Sequence, residues 1–517
     1  MRITTKVIQN NSLSNINTNK LLQDKLSAQM ATEKKVVRPS DDPIVAIRAL
    51  RLRTNVNQIN QYYEKNVPDA EAWLSITESA LSTMADVVTD MISKCNRGSN
   101  EDLKSEDRET LLTDLKALRD EVYATGNADY AGRTVFTGYR TDTNLVFTEK
   151  TSATYSITEQ IDNSILDKIT YVDTGKLGSL NESNFKDADH AGIEETGIEQ
   201  KEIYRLRLSY DNVSGFTGIS YNKTELDADG KPVTTTTNIT ATTASIYEDP
   251  SPYNSVGDDD VVLVKETGEV LLGKNKYNEL MSVQDDPSTV DNEAEIRVVY
   301  EKKEWNKNDL KPEHFFHCIK TEETPAIEYN KEYLDGTKEH QPIEYDVGLN
   351  QTIRVNTTAD EAFDHSIKRD VDDMVKTLED VMDMEKIVKK LETMSKDTSY
   401  SEADQAIIKE QLAAAEKSFT FLKEKMQKAF ENGITKMQKH LDDVNYAVTT
   451  VGNRSRKLEL IENRLMSQKT NFETLQSENE DADITEVAIQ LSSAELTYNA
   501  ALMSTGKILQ TNLMQFI

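Results

Sequence analysis

The sequence predicts an α+β protein in which both ends of the chain form one elongated helical coiled-coil bundle, with a β-rich outer region inserted between them. Two heptad patterns and one change of texture lead to this prediction. Apolar residues recur at alternating steps of four and three between Tyr63 and Cys95, and again between Phe430 and Leu475. Residues 140–364 instead contain threonine-rich stretches of alternating polarity. Because a seam needs a partner, we expect the two ends to pack on each other.

The first seam, here called the N-terminal seam, consists of Val67, Ala70, Leu74, Thr77, Leu81, Met84, Val88, Met91 and Cys95. The second, the C-terminal seam, consists of Phe430, Gly433, Met437, His440, Val444, Ala447, Val451, Arg454, Leu458, Ile461, Leu465, Gln468, Phe472 and Leu475. Polar residues occupy most of the intervening positions, as is typical of helices that bury one face inside their own molecule.

The start of the first long helix is marked by its cap. Asp41 or Asp42 can cap a helix that begins at about Ile44, and Pro43 suits its first turn because that position needs no amide donor. Pro68 removes a backbone donor inside the helical pattern. We therefore expect a kink or a boundary at Pro68.

Further helices and breaks follow along the chain. A turn at residues 96–99 precedes a second helix from Glu106 to Tyr123. After the inserted region the helical pattern resumes, with breaks expected near residues 396–401 and at the acidic run 478–483.

The inserted region is predicted to be β structure. Its candidate strands lie in the stretches EIYRLRLSY, PVTTTTNITATTASIYE, DVVLVKETGEVLLG, EIRVVYEKKEW and QTIRVN. Residues 140–364 carry 45 acidic and 22 basic residues, so most of the chain's net charge of -30 lies here. We expect an outward-facing, solvated surface.

These patterns divide the chain into three predicted domains. Residues 1–40 and 480–517 form terminal helices that serve as an inner assembly domain. Residues 41–139 and 365–479 form the helical bundle, and residues 140–364 form the β-rich variable outer domain or domains.

Composition excludes several classes of protein. The mean hydropathy of -0.61 and the lack of an apolar run of ~18 to 20 residues argue against a membrane protein. The first residues lack the apolar core of a cleavable signal peptide. A net charge of -30 would repel nucleic acid and anionic lipid, so neither is expected as a partner. Cys95 and Cys318 fall in different regions, which makes a disulfide improbable, and Cys95 is interpreted as a small core residue.

Motifs for catalysis or metal binding are weak. The sequence has no HExxH zinc helix and no phosphate-binding GxxxxGK[ST] loop. His314, His317 and Cys318 could share an ion only on a helix, since strand positions three apart face opposite ways. Residues 227–230 resemble the opening of a calcium loop without its later glutamate, and residues 258–260 suit a solvated loop. We therefore expect no catalytic residue, no cofactor and no metal.

The outermost apolar stripes form the candidate functional site. Two terminal amphipathic helices alone offer too little surface to bury their apolar faces, so packing between molecules is predicted. The predicted assembly interface consists of Leu13, Ile16, Leu22, Leu26, Ile484, Val487, Leu491, Tyr498, Leu502, Leu509, Leu513 and Phe516.

Several motifs together resemble the flagellin family. They are the signature Pro39, Ser40, Asp41, Asp42 and Pro43, the stretch GRTVFTG, the stretch AVTTVGNRSRKLELIENR, and the C-terminal segment from SENEDADITEV onward. The resemblance covers residues 1–147 and 343–517. Three features depart from the common pattern, namely the size of the insertion, Val135-Phe136, and Asp42-Pro43 where flagellin usually has alanines after the aspartates.

The resemblance implies a structural, non-enzymatic subunit of the bacterial flagellum, of the hook-associated type that forms the junction between hook and filament. Such a subunit would assemble with copies of itself in a ring-like axial structure, next to another hook-associated protein and flagellin. It would be extracellular, exported without a cleavable signal peptide, and accompanied in the cell by an export chaperone on the C-terminal helix.

Three other functions stay open at this point. The chain could be flagellin, the bulk filament subunit. It could be a secreted protein with a metal-dependent catalytic insertion, against which the lack of HExxH argues. An intracellular coiled-coil scaffold would explain the heptads but not the apolar C-terminal segment.

Overall fold

The computed structural model describes residues 5–100, 103–174, 177, 195–226, 232–248, 251–283, 295–335 and 341–513. Its helices are α1 (Thr5–Thr32), α2 (Pro43–Gln61), α3 (Val67–Gly98), α4 (Ser105–Val122), α5 (Lys274–Met281), α6 (Ala359–Ala362), α7 (Ile367–Lys396), α8 (Glu402–Glu480) and α9 (Ile484–Leu513). Helices at both ends of the chain enclose a β-rich middle, which confirms the predicted fold class. The predicted breaks at residues 396–401 and 478–483 coincide with the ends of α7 and α8.

The strands are β1 (Asp129–Tyr130), β2 (Arg133–Thr134), β3 (Thr151–Ile161), β4 (Asp167–Val172), β5 (Gln200–Arg207), β6 (Val213–Leu226), β7 (Pro232–Ile239), β8 (Thr242–Ala244), β9 (Val261–Val264), β10 (Glu269–Leu272), β11 (Ile296–Trp305), β12 (His317–Lys320), β13 (Ile327–Tyr329), β14 (Glu344–Gly348) and β15 (Gln351–Arg354). Each of the five predicted stretches overlaps at least one of them.

The described strands form two larger sheets and two hairpins. The sheet orders are β4-β5-β10-β9-β8 and β13-β12-β3-β11-β6-β7, and the hairpins are β1-β2 and β14-β15. Neighbouring strands are antiparallel except for the parallel pair β8-β9. Strand β11 is central in the six-stranded sheet, where Val299 lies opposite Thr158 of β3 and Gly218 of β6.

The contacts divide the chain into two compact units. The first, here called the terminal unit, comprises Met1–Glu71, Tyr345–Ile353 and Arg456–Ile517. The second, the central unit, comprises Ala72–Glu344 and Arg354–Ser455. The finer division into three domains stays a prediction.

The start of α2 follows its capping residue. Asp42 Oδ1 accepts hydrogen bonds from the backbone N–H groups of Ile44 and Val45 at 3.0 and 3.1 Å, and Pro43 begins the helix. The predicted cap is thereby confirmed. The interruption expected at Pro68 takes the form of a π-helical turn over Tyr62–Asn66, just before the proline.

Burial confirms both heptad seams. All nine members of the N-terminal seam are at most 1% exposed. The C-terminal seam is buried from Phe430 to Leu465 apart from the half-buried Arg454, and it then opens, because Gln468 and Leu475 are exposed. In the central unit, Gly98 at the end of α3 adjoins the ring of Phe430.

The N-terminal seam has a second neighbour that the sequence did not identify. Cys95 Sγ lies 3.4 Å from Met374 Sδ of α7, and both residues are buried. Within the central unit α3 therefore packs against α7 as well as α8. Cys95 is a core residue, as predicted.

The core of the six-stranded sheet is built around Trp305. Its ring lies 4.9 Å from Phe147, 5.4 Å from Tyr155 and 5.1 Å from Tyr210, measured between centroids. The indole N–H donates to the carbonyl of Ala153 at 2.7 Å, so the buried ring has no unpaired polar atom. Within the described part of the chain, no helix has both the length and the apolar character that a membrane span requires.

Candidate assembly surface

The two terminal helices pack on each other in the terminal unit. Leu26 of α1 forms a buried cluster with Val487 and Ala494 of α9, and Ala482 and Leu491 pack against it. The contact consists of apolar side chains along one face of each helix. It covers one face and leaves the others free.

The structure places the predicted interface residues in different environments. Ile16, Leu26 and Val487 are buried, and Leu491 and Tyr498 are half-buried. The exposed members are Leu13, Leu22, Ile484 and Leu502. Leu509 and Leu513 lie in α9 with side chains outside the described set, and Phe516 lies outside the described residues. The predicted stripe thus includes both the contact between α1 and α9 and residues beside it.

The most exposed apolar side chains of these helices were not in the predicted stripe. They are Leu21 (70% exposed), Ile489 (66%), Leu496 (72%) and Met503 (69%). Each lies on a face that the predicted stripe does not follow. Periodicity shows that a helix has an apolar face, but a helix that is apolar on several sides does not reveal which side its neighbour covers.

Helix α2 adds a further exposed apolar row. Ile44, Ile47 and Leu50 are 65%, 53% and 63% exposed and follow one another at steps of three, which places them on one side of the helix. The row begins directly after the signature turn. In that turn Pro39, Ser40, Asp41 and Pro43 are exposed, and Asp42 is half-buried in its capping role.

Polar contacts tie the two chain ends together in the terminal unit. The backbone N–H of Lys35 donates to the carbonyl of Glu480 at 2.7 Å, and that of Ala482 donates to the carbonyl of Glu33 at 2.9 Å. Arg53 of α2 donates through Nε to the Glu480 carboxylate at 2.8 Å. These contacts fix the corner between α8 and α9 against the segment that links α1 to α2.

The β14-β15 hairpin also belongs to the terminal unit. Asn66 in the π-helical turn donates through Nδ2 to the carbonyl of Asp346 at 2.7 Å, and the Tyr345 hydroxyl donates to the Asp69 carboxylate. Strand β14 of the hairpin is therefore hydrogen-bonded to the helices. The side chain at the hairpin tip, Leu349, is 81% exposed.

The histidines weighed as metal ligands are placed in separate environments. His317 begins β12, and its ring nitrogens lie 3.2 Å from Thr158 Oγ1 and 3.1 Å from a Glu328 carboxylate oxygen. His314 precedes it in a turn, and burial, with Arg140 and Lys311 nearby, lowers its pKa to about 3.

Cys318 is buried, which raises the pKa of its thiol. Among the described residues, this trio does not form a group whose atoms could hold one ion. Of the two acidic turns, residues 258–260 form an exposed turn whose carboxylates accept hydrogen bonds from the Gly257 N–H and the Asn275 side chain. Residues 227–230 lie outside the described residues.

A buried ion network in the central unit was missed by the sequence reasoning. Arg205 and Arg207 of β5 contact the carboxylate of Asp373, and Arg207 also contacts Asp370, both on α7. His440 Nε2 of α8 lies 2.9 Å from Asp370 Oδ2. The spacings are the only signal in the sequence, because two arginines two apart share a strand face and two aspartates three apart share a helix face.

The network perturbs the ionisation of its members. Burial favours the neutral forms, but Arg207 and His440 hold the pKa of Asp370 well below its usual range. Burial lowers the pKa of His440, yet the carboxylates of Asp364 and Asp370 outweigh it and raise that pKa to about 9. Not all of the charge of residues 140–364 is therefore solvated, since Arg205 and Arg207 of that region are buried in ion pairs with α7.

Comparison with known proteins shows which class of protein the N-terminal helices resemble. Residues 3–141 match the family model for the bacterial flagellin N-terminal helical region, which covers α1 to α4 and the β1-β2 hairpin. The resemblance to the flagellin family, inferred from the signature turn and the terminal patterns, is thereby confirmed. Residues 3–141 are thus similar to the N-terminal helical region of the flagellin family.

The particular relatives are hook-associated proteins. The chain is 33% identical over 169 residues to flagellar hook-associated protein 3 of Salmonella typhimurium, and 34% identical over 168 residues to the protein of the same name from Escherichia coli. Each match covers 32% of this chain and 53% of the relative. The chain thus spans about half the length of the curated relatives it matches.

A solved structure is also similar in outline. The flagellar junction protein FlgL from Legionella pneumophila matches 85% of this chain and 100% of its own, with 12% identity and a TM-score of 0.30. A likeness so distant adds nothing to the assignment that the sequence matches provide.

Proposed function

We propose that this chain is a structural subunit of the bacterial flagellum that forms the junction between hook and filament and adapts flagellin polymerisation to the hook. The observation that carries the proposal is the set of apolar side chains left exposed on α1, α2 and α9. These helices lie in the terminal unit, and the family match includes two of them.

The exposed apolar surface supports assembly on physical grounds. Burying one large aliphatic side chain contributes roughly 1.5 to 3 kcal/mol, and contiguous apolar surface on a soluble protein usually marks an interaction site. Five of these side chains are at least 63% exposed, namely Leu21, Ile44, Leu50, Ile489 and Leu496. Neighbouring subunits that covered them would stabilise the assembled state strongly.

The mechanism that we propose is folding coupled to assembly. The cluster of Leu26, Val487 and Ala494 is too small to hold two helices of 28 and 30 residues rigidly in an isolated molecule. The remaining ordering entropy is offset only when neighbours bury the exposed faces. Because ordering the terminal helices costs entropy in a free molecule, premature polymerisation in the cytoplasm is suppressed.

The partners follow from the same proposal. The subunit contacts copies of itself in a ring-like axial assembly, with another hook-associated protein on one side and flagellin on the other. Before export a chaperone covers the C-terminal helix, and the mature location is the extracellular flagellum, reached without a cleavable signal peptide. We assign it no catalytic role and no cofactor.

The test is a deletion strain combined with immunogold electron microscopy. Deleting the gene should leave hooks in place and release flagellin monomers into the medium, and a plasmid copy should restore filaments. An antibody against residues 140–364 should then label one narrow band at the hook end of each restored filament.

Two results would contradict the proposal. Label along the whole filament would identify the chain as flagellin, the bulk subunit, which is the alternative that the family match also admits. Normal filaments in the deletion strain would exclude an essential role at the junction. A strain in which an unrelated gene for hook capping is deleted serves as the control for flagellin release.

A further inference from the structure

A buried histidine in the central unit presents one ring nitrogen to two carboxylates. His440 of α8 is 3% exposed, and its Nδ1 makes no hydrogen bond. That nitrogen lies 3.3 Å from Asp364 Oδ2. One ligand atom each from Asp364, His440 and Asp443 lies within 4.8 Å of the others.

The three residues come from helix α8 and from the segment that precedes α7. His440 and Asp443 are three apart on α8, so they lie on the same side of the helix. Asp364 lies in the segment just before α7, where its Oδ1 accepts from the N–H of Ser366 at 2.8 Å. The Tyr123 hydroxyl donates to the Asp364 carbonyl at 2.8 Å, which further holds this segment in place.

The other ring nitrogen of His440 is already oriented. His440 Nε2 lies 2.9 Å from Asp370 Oδ2, and Lys436 Nζ lies 2.9 Å from the other oxygen of that carboxylate. A histidine that binds a metal through one nitrogen usually donates from the other to such a carboxylate. The hydrogen bond from Nε2 leaves Nδ1 directed toward Asp364 and Asp443.

We propose that Asp364, His440 and Asp443 bind a divalent transition-metal ion of the zinc type. One imidazole nitrogen and two carboxylate oxygens are a common protein donor set for zinc, and the two carboxylates balance its charge. Ligand atoms at about 2.0 to 2.1 Å from a tetrahedral ion lie about 3.3 Å apart. The Nδ1 to Oδ2 distance of 3.3 Å has that value.

The bound ion would link the end of the inserted region to the helical bundle. Asp364 is at the point where the chain leaves the β-rich region and enters α7, whereas His440 and Asp443 belong to α8. Asp443 is exposed, so the ion has access from solvent, and a water molecule can complete its coordination.

The experiment is a Zn²⁺ titration of the purified full-length protein by isothermal calorimetry after treatment with a chelator. It is done at pH 8, because the metal must displace the ring proton of His440. We expect one saturable site per chain. Co²⁺ in place of Zn²⁺ should give visible absorption bands of a tetrahedral site.

Asp443→Asn is the decisive variant, since this exposed side chain can change without disturbing the buried network. It should weaken binding by at least about tenfold and remove the Co²⁺ bands. Asp442→Asn, which makes the same charge change at the adjacent exposed position, should bind as the unaltered protein does. Absence of saturable binding in the unaltered protein, or equal binding by the two variants, would overturn the proposal.

Discussion

At the residue scale, buried ion pairs connect helices of the central unit. Arg108 of α4 is 3% exposed, and its guanidinium donates to the Glu385 carboxylate of α7 at 2.5 Å. Lys389, one turn further along α7, lies 2.8 Å from the same carboxylate. Burial alone would raise the pKa of Glu385, but hydrogen bonds from Lys389 and Arg108 outweigh it and lower that pKa to about 2.

The lowered pKa predicts how stability depends on acid. The pKa of Glu385 is lower in the folded protein than in the unfolded chain, so its contribution is complete above about pH 4.5 and is lost as the pH falls toward 2. Solvent screens this partly exposed carboxylate, so over that range the protein should lose on the order of 1 kcal/mol of unfolding free energy through this group. Urea unfolding between pH 5 and pH 3 measures the loss.

Glu385→Gln should remove that part of the acid dependence. Asp383→Asn is the matched control, because Asp383 lies on the same helix with a side chain that is 70% exposed. If Glu385→Gln showed the same loss of stability with acid as the unaltered protein, the ion pair would not be responsible.

At the scale of elements, the heptad seams decide which helix faces meet, and glycines decide how closely. Gly98 ends α3 where that helix adjoins Phe430, and a Cβ built on it would lie 2.4 Å from the phenyl ring. Phe430 is fully buried, so its ring has no free space into which to move. The close approach of α3 and α8 thus requires a residue without a side chain.

Gly98→Ala should destabilise the protein by about 1 to 3 kcal/mol, because the added methyl overpacks this contact. Gly452→Ala in α8 is the control, since a Cβ there meets no atom within 4 Å. Alanine favours helix over glycine, so that control should be neutral or more stable by up to about 1 kcal/mol. Thermal unfolding of both variants checks the pair, and equal stability would contradict the packing argument.

At the scale of the whole molecule, apolar surface and charge are distributed unequally along the chain. The exposed aliphatic side chains discussed above belong to the terminal helices, whereas residues 140–364 hold 45 acidic and 22 basic residues. An exposed apolar surface favours association between molecules, and like charge on a surface keeps molecules apart. This distribution suits a subunit that assembles through its ends and exposes its inserted region.

Replacing Leu21 and Leu496 together by serine should prevent incorporation into flagella while leaving the protein folded and exported. Both side chains are at least 70% exposed in the isolated chain, so their loss costs little until a neighbour covers them. Immunoblots of sheared flagella and of the culture medium measure incorporation and export. Tyr247→Ser, at a side chain that is 84% exposed in the inserted region, should incorporate normally. Normal incorporation of the Leu21 and Leu496 variant would show that these faces do not carry the assembly contact.

The sequence by itself determined the features that depend on near neighbours in the chain. The cap at Asp42, the buried faces that contain Leu74 and Val444, and the breaks after α7 and α8 all follow from local patterns, because a helix repeats every 3.6 residues and is capped by its own flanking residues. The strand stretches and the family signature were readable for the same reason.

Only the tertiary structure decided which residues distant in sequence meet. It covered Leu26 and left Leu21 exposed, although the sequence gives both as apolar residues of one helix. It also brought Arg207 to Asp370 and Asp364 to His440. A periodic pattern specifies that a face is buried, but the identity of the covering partner depends on how the whole chain packs, which no local spacing encodes.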